Sequence, residues 1–260
     1  MLNTLKNFTP VVFIIIITAG LSSCNSDTTE KLTIATAANA QFAIEEIALE
    51  FEKETGITTQ IIVGSSGKHT TQIEAGAPYD VFVSADLKFP NKLYELGLTV
   101  AKPATYAFGK LVIWTLTDTL STSISTLPDL DVNHIAMPNP KTAPYGKAAR
   151  EALDKFKIYE QISSKLVFGE SVAQTNQFIL SKSAAIGFTA ASIVMAPTMK
   201  DKGRWQEVEA GSYSPIAQGA VVIKQSAQLE KANKFYLFLF SPKAESILRG
   251  HGYTVNEKSL

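Results

Sequence analysis

Hydrophobic positions along the chain fall into two alternating periods. Leu32-Thr33-Ile34-Ala35 reads as a short strand, and Ile44, Ile47, Ala48 and Phe51 follow at the i, i+3, i+4, i+7 spacing of an amphipathic helix. Gly56 closes that helix, and Thr58 to Val63 is rich enough in β-branched residues to form the next strand. A polar loop, a short helix to about Ala75, a Gly76/Pro78 break and a strand from Asp80 to Ser84 come next. A helix from Phe89 to Leu96 and a strand from Leu111 to Trp114 complete the first set. A second set repeats the alternation: strand Ile135 to Met137, helix Lys147 to Phe156, strand Leu166 to Phe168, helix Ala173 to Leu180, strand Ala185 to Phe188. A last strand, Ala220 to Ile223, precedes a C-terminal helix from about Glu230 to Arg249. The pattern predicts an α/β protein with parallel, helix-covered sheets in two units, the chain returning at its end to the first.

Four of the strand-to-helix junctions share one chemistry. In Ala37-Ala38-Asn39-Ala40, Asn39 is suited to cap the following helix. In Ser65-Ser66-Gly67, Ser66 can cap and Gly67 admits a close approach to the backbone. In Thr142-Ala143-Pro144-Tyr145-Gly146, Pro144 fits the first helical position and leaves the Tyr145 and Gly146 amides free. Ser171-Val172-Ala173-Gln174 is a capping box. The first N–H groups of a helix have no intrahelical partner and sit at the positive end of its dipole, so they attract anions. In open α/β sheets the carboxyl ends of the strands face the ligand crevice. One capped helix is ordinary in any such protein; four that converged would surround a small anion with neutral donors and no Lys or Arg.

The stretch Val63 to Thr71, VGSSGKHTT, looks like a nucleotide loop but is not one. A P-loop needs a glycine five positions before Gly67 and a hydroxyl after Lys68, and the chain has Ile62 and His69 there. The nucleophile elbow G-x-S-x-G also fails, because Gly67 directly follows Ser66. His69, His134 and His251 lie far apart in sequence, and His69, beside a polar helix start, is expected to be solvated. Asp80 and Asp86 read as loop or cap residues, and Trp114 and Trp205 as core or interface residues. Lys plus Arg equals Asp plus Glu at 24 each, without a basic stripe, which argues against nucleic acid as a partner.

At the N-terminus, Lys6 precedes the apolar run Val11 to Ile17, and Leu21-Ser22-Ser23-Cys24 follows, the layout of a secretory signal. The run is shorter than the ~20 residues that span a bilayer. Cys24 is the single cysteine, which rules out an intramolecular disulfide. L-S-S-C resembles a bacterial lipobox, and that resemblance implies a signal peptide over 1–23 and lipidation of Cys24, with 24–30 as a polar tether. Two or more acyl chains are what stable anchoring requires. The remaining ~230 residues suit one large or two modest domains.

The stretches LTIATAANAQFAIEEIALEFEKETG, VGSSGKHTTQIEAGAPYDVFVSAD, NPKTAPYGKAAREAL and GESVAQTNQ resemble the molybdate-binding periplasmic proteins, the substrate-capturing component of molybdate ABC transporters. The resemblance runs from about Lys31 to Tyr253. It implies a type II periplasmic binding protein fold, with lobe I from 31–108 and 217–260, lobe II from 109–216, and a cleft and hinge between them. It also implies a ligand shell of Asn39, Ser66, Tyr145 and Val172, with Ala38 contributing only backbone. These would contact the oxygens of molybdate or tungstate, not the metal atom. A tyrosine that some members use has no counterpart around Ala190, and the Tyr145 hydroxyl is the expected substitute. No further cofactor is implied. A membrane permease, a lipid anchor at the extracytoplasmic face and a monomeric state are expected. The rival readings are a receptor for sulfate, thiosulfate or a small organic anion, and a secreted serine hydrolase built on Ser66, a histidine and Asp86.

Overall fold

The computed structural model describes residues 30–255. The expected signal sequence over 1–23 and Cys24 lie outside them. Among the described residues, ten strands form two five-stranded sheets. The first contains β1 (Leu32–Ala37), β2 (Thr59–Gly64), β3 (Val81–Val83), β4 (Ala104–Gly109) and β10 (Ile216–Val222), in the order β2-β1-β3-β10-β4. The second contains β5 (Leu111–Thr115), β6 (Ile135–Pro138), β7 (Leu166–Gly169), β8 (Ile186–Ala190) and β9 (Arg204–Glu207), in the order β7-β6-β8-β5-β9. The chain leaves the first sheet at Gly109 and re-enters it at Ile216, and these two residues are themselves paired.

The sheets are mixed, not parallel as expected. β1 pairs parallel with β2 and β3, but β10 runs antiparallel to β3 and β4. β6 pairs parallel with β7 and β8, while β5 runs antiparallel to β8 and β9. Each antiparallel pair contains the strand that has just crossed from the other sheet, so its direction is set by the crossover and not by a βαβ turn. Neither β4 nor β9 stood out in the hydrophobic pattern. β9, Arg204-Trp205-Gln206-Glu207, is an exposed edge strand with few apolar residues to signal it.

Helix α1 (Gln41–Thr55) buries Ile44, Ile47, Ala48 and Phe51, and ends at left-handed Gly56, as its spacing predicts. Phe51 meets Phe235 edge-to-face at 5.2 Å in a core shared with α8 (Leu229–Phe238) and α9 (Pro242–Gly250). Burying such a ring contributes about 1.5 to 3 kcal/mol. The C-terminal helix expected as one piece is these two, because Ser241 caps the Ala244 amide and Pro242 cannot continue α8. The remaining helices are α2 (Ser66–Glu74), α3 (Lys88–Glu95), α4 (Pro144–Lys155), α5 (Tyr159–Ile162), α6 (Val172–Leu180) and α7 (Ala191–Val194).

His69 is not solvated. It is 1% exposed, with Nε2 3.1 Å from the Thr36 carbonyl and Nδ1 3.3 Å from Gln72 Oε1, tying α2 to β1. Asp80 joins β1 and the segment after β10, its carboxylate accepting from the Thr33 amide at 2.7 Å and the Ser226 hydroxyl at 2.5 Å. Trp114 is wholly buried and donates its indole N–H to the Lys202 carbonyl at 2.7 Å, a core role. Burial pushes the His69 pKa below the ordinary 6.5, only partly opposed by its two acceptors. The folded protein therefore favours neutral His69, and the unfolded chain takes up the proton first as pH falls through about 6.5. The stability it supports is complete above that value and lost below it. His69→Gln should flatten the decline in unfolding free energy between about pH 7.5 and pH 5.5, measured by urea denaturation. An unchanged slope would contradict the assignment.

Candidate functional site

The four junctions converge. Ala37, Ala38 and Asn39 from the end of β1, and Ser65 and Ser66 after β2, meet Ala143, Pro144 and Tyr145 after β6 and Val172 after β7 around one small cavity. Ala85, following β3, closes a further side. The cavity is small, with a volume of about 10 Å³. Pockets for drug-sized ligands run from about 300 to 1,000 Å³, so this space is far too small for a sugar or nucleotide and leaves room only for a group of a few atoms. None of its lining residues carries a formal charge.

Each junction presents donors for a local reason. The side chain that caps α2 is Ser65, whose Oγ accepts from the Lys68 amide at 3.2 Å; Ser66 is not the cap. Ser66 Oγ instead accepts from the Ala85 amide at 3.0 Å. That bond occupies an acceptor site and leaves the Ser66 O–H proton available to donate. In α4, Pro144 is the first residue, as expected. The Gly146 and Lys147 amides both reach the Ala143 carbonyl, whereas the Tyr145 amide precedes the first residue that can bond back into the helix. In α6, Ser171 Oγ caps the Gln174 amide at 3.3 Å, and Gln174 Oε1 accepts from the Glu170 amide at 2.7 Å, leaving Val172 as the first helical N–H.

Asn39 departs from its expected capping role. It sits in a short 3-10 turn, Ala38–Ala40, and caps nothing. Its Nδ2 donates to Gln218 Oε1 at 2.8 Å and to the Tyr253 hydroxyl at 2.9 Å, so the carboxamide is turned into the fold and its Oδ1 is buried without a partner. The Tyr145 hydroxyl is likewise buried without a partner. It packs against the crossover: a Cβ placed on Gly109 would lie 2.0 Å from it and 2.9 Å from Gln218 Nε2. Burial, and then the neighbouring Tyr253, Tyr106 and Tyr213, raise the Tyr145 pKa well above the usual phenol value; the nearby Asn39 side chain, not within hydrogen-bonding geometry, opposes this only weakly, so the hydroxyl stays neutral and able to donate. Ala190, where a tyrosine was missed, is itself fully buried.

The two halves of the cleft touch directly. The Gly67 amide donates to the Thr142 carbonyl at 3.0 Å, and the Ser192 hydroxyl to the Asn39 carbonyl at 2.7 Å. Ala37, Ala38 and Ala85 pack into the same core as Tyr145 and Val172. Gly67 was expected to admit a ligand; the close approach it permits is that of Thr142. A Cβ there would lie 3.1 Å from the Thr142 Cα and carbonyl oxygen, and 3.2 Å from Phe89. The hydrolase constellation is not assembled. His69 binds Thr36 and Gln72, Asp86 accepts from the Phe89 amide at 3.2 Å, and neither pairs with Ser66. Among the described residues no cluster of His, Cys, Asp or Glu could hold a metal ion.

The hydrophobic pattern did not single out Gln218, Tyr253, Tyr106 or Ser192, which back or bridge the site. One signal was available: Gln218 is the one strongly polar residue in the apolar run Ile216 to Ile223, and a buried amide there must find partners.

Comparison with known proteins places this geometry. A family described as bacterial extracellular solute-binding protein matches residues 32–254. The molybdate-binding protein ModA of Rhodobacter capsulatus is 39% identical over 224 residues, covering 86% of this chain and 88% of that one. The structure of the Azotobacter vinelandii periplasmic molybdate-binding protein superposes with a TM-score of 0.83 at 34% identity, over 87% of this chain and 100% of that one. The sulfate-binding protein SubI of Mycobacterium tuberculosis shares the fold, with a TM-score of 0.76 at 13% identity over 88% of each chain. The chain belongs to the bacterial extracellular solute-binding protein family.

Proposed function

We propose that this protein captures molybdate or tungstate outside the cytoplasm and hands it to a membrane ABC permease. The observation that carries the reading is the small, charge-free cavity where four helix starts from two sheets meet. The molybdate-binding relatives support the choice of ligand. Molybdate and tungstate are full dianions at neutral pH, and every oxygen can accept from a donor-only shell. Partly protonated phosphate brings an O–H that such a shell leaves unpaired, at about 1 to 3 kcal/mol. Sulfate escapes that penalty, so its exclusion rests on cavity size.

In this reading the Tyr145 and Val172 amides and the Ser66 hydroxyl donate to the oxyanion. Asn39 and Ala38 contribute through their backbone, because both Nδ2 hydrogens of Asn39 are engaged. Residues 31–108 with 217–255 form one lobe and 109–216 the other, and they close about the paired crossover at Gly109 and Ile216. The protein acts as a monomer, held at the membrane by lipid on Cys24. Metabolic labelling with a radioactive fatty acid should tag the full-length chain and not Cys24→Ser; equal labelling of both would exclude that anchor.

Molybdate and tungstate at 100 times Kd should stabilise the folded domain by about 2.7 kcal/mol, raising the thermal midpoint, while equal sulfate or phosphate leaves it in place. A sulfate shift as large as that of molybdate would refute the ligand assignment. Gly67→Ala sets a methyl group 3.1 Å from the Thr142 backbone, between the two halves of the cleft. Its molybdate affinity, measured by calorimetric titration, should fall by about tenfold, or about 1.4 kcal/mol, because the methyl group obstructs Thr142. Unchanged affinity would show that this approach is not part of the bound state.

A further inference from the structure

Gln218 is fully buried on β10, at the point where the strand's register with β4 shifts between Gln218 and Gly219. Its carboxamide uses both ends. Oε1 accepts from Asn39 Nδ2 at 2.8 Å and from the Tyr106 hydroxyl at 3.5 Å. Nε2 donates to the Ala85 carbonyl at 3.1 Å and to the Ile216 carbonyl at 3.2 Å. The first contact fixes the loop after β1. The contact to Ala85 fixes the residue whose own amide holds Ser66 Oγ at 3.0 Å. The contact to Ile216 lies where the chain re-enters the first sheet. One side chain thus links both first-sheet donor loops to the crossover.

Glutamine suits this position because it must accept from an amide and donate to two carbonyls at once. An apolar residue would leave the Ala85 and Ile216 carbonyls without this donor in a dry site, and a carboxylate would face them with another acceptor. Other polar contacts could hold a strand in place. Few could set the separation between Asn39 and Ser66, and that separation decides which radius of tetrahedral anion the cavity accepts.

We propose that Gln218 is a positioning residue that sets the selectivity of the site among tetrahedral oxyanions, without touching the ion. The proposal rests on the oxyanion reading above. It is tested with Gln218→Glu in the full mature chain, measuring affinity for sodium molybdate and sodium sulfate from about pH 5.5 to pH 9, the range in which a buried glutamate titrates. The protonated carboxyl of that variant keeps one acceptor and one O–H donor, so the molybdate-to-sulfate affinity ratio should match wild type at the acid end. It should fall at least tenfold as the carboxyl ionises, while the wild-type ratio stays flat. A residue that merely holds the fold would lower the thermal midpoint and leave that ratio unchanged at every pH, which would overturn the proposal. Should the glutamate variant fail to fold, Gln218→Met, similar in length and without donors, should show the reduced ratio at all pH values; a wild-type ratio in it would equally refute the role. Wild-type protein that binds neither ion would instead refute the oxyanion reading itself.

Discussion

Withdrawing a dianion from water is the constraint on which this architecture turns. Its charge must be met by hydrogen-bond donors in a low-dielectric space, and each oxygen left unpaired costs more there than in solvent. Lys and Arg would supply charge but would also grip any anion that fitted. Helix starts supply oriented N–H groups and a partial positive charge without a mobile cation. Each sheet here delivers loops to one cavity, and no lining residue is charged. Ser65, Pro144 and Ser171 set the helix ends that carry these donors.

Small residues make the enclosure possible. Ala37, Ala38 and Ala85 let the first sheet's loops enter the second sheet's core, and Gly67 lets its amide reach the Thr142 carbonyl. Larger side chains at these points would hold the halves apart and leave the donors in water. Behind the loops, Gln218, Tyr106 and Tyr253 satisfy the buried polar groups that such a tight junction creates. The unpartnered Tyr145 hydroxyl and Asn39 Oδ1 mark where that satisfaction is incomplete, beside the cavity rather than in the distant core.

Much of this was legible along the chain. The stripe Ile44, Ile47, Ala48, Phe51 and the stop at Gly56 gave α1 directly, and Pro144 and Ser171 marked two of the four helix starts. Local rules are strong there because a helix end must satisfy its own backbone. What stayed hidden depends on distant partners. Which of Ser65 and Ser66 caps α2 is decided by the Ala85 amide, which engages Ser66. Asn39 looked like a cap because Asn favours caps, but Gln218 and Tyr253, 179 and 214 residues away, take its amide. His69 looked solvated beside a polar run, and the Thr36 carbonyl draws it inside. The antiparallel strands β10 and β5 follow from the crossovers, which hydrophobic periodicity does not encode.

The central claim is that neutral donors at four helix starts hold the ion. Proton–nitrogen correlation spectra of the labelled domain, recorded as sodium molybdate is added, test it residue by residue. The backbone amides of Asn39, Ser66, Tyr145 and Val172 should move downfield together and saturate at one equivalent. If those amides stay in place while the side-chain ammonium groups of Lys68 or Lys147 respond, the ion is bound by charge at the surface, and the claim is wrong.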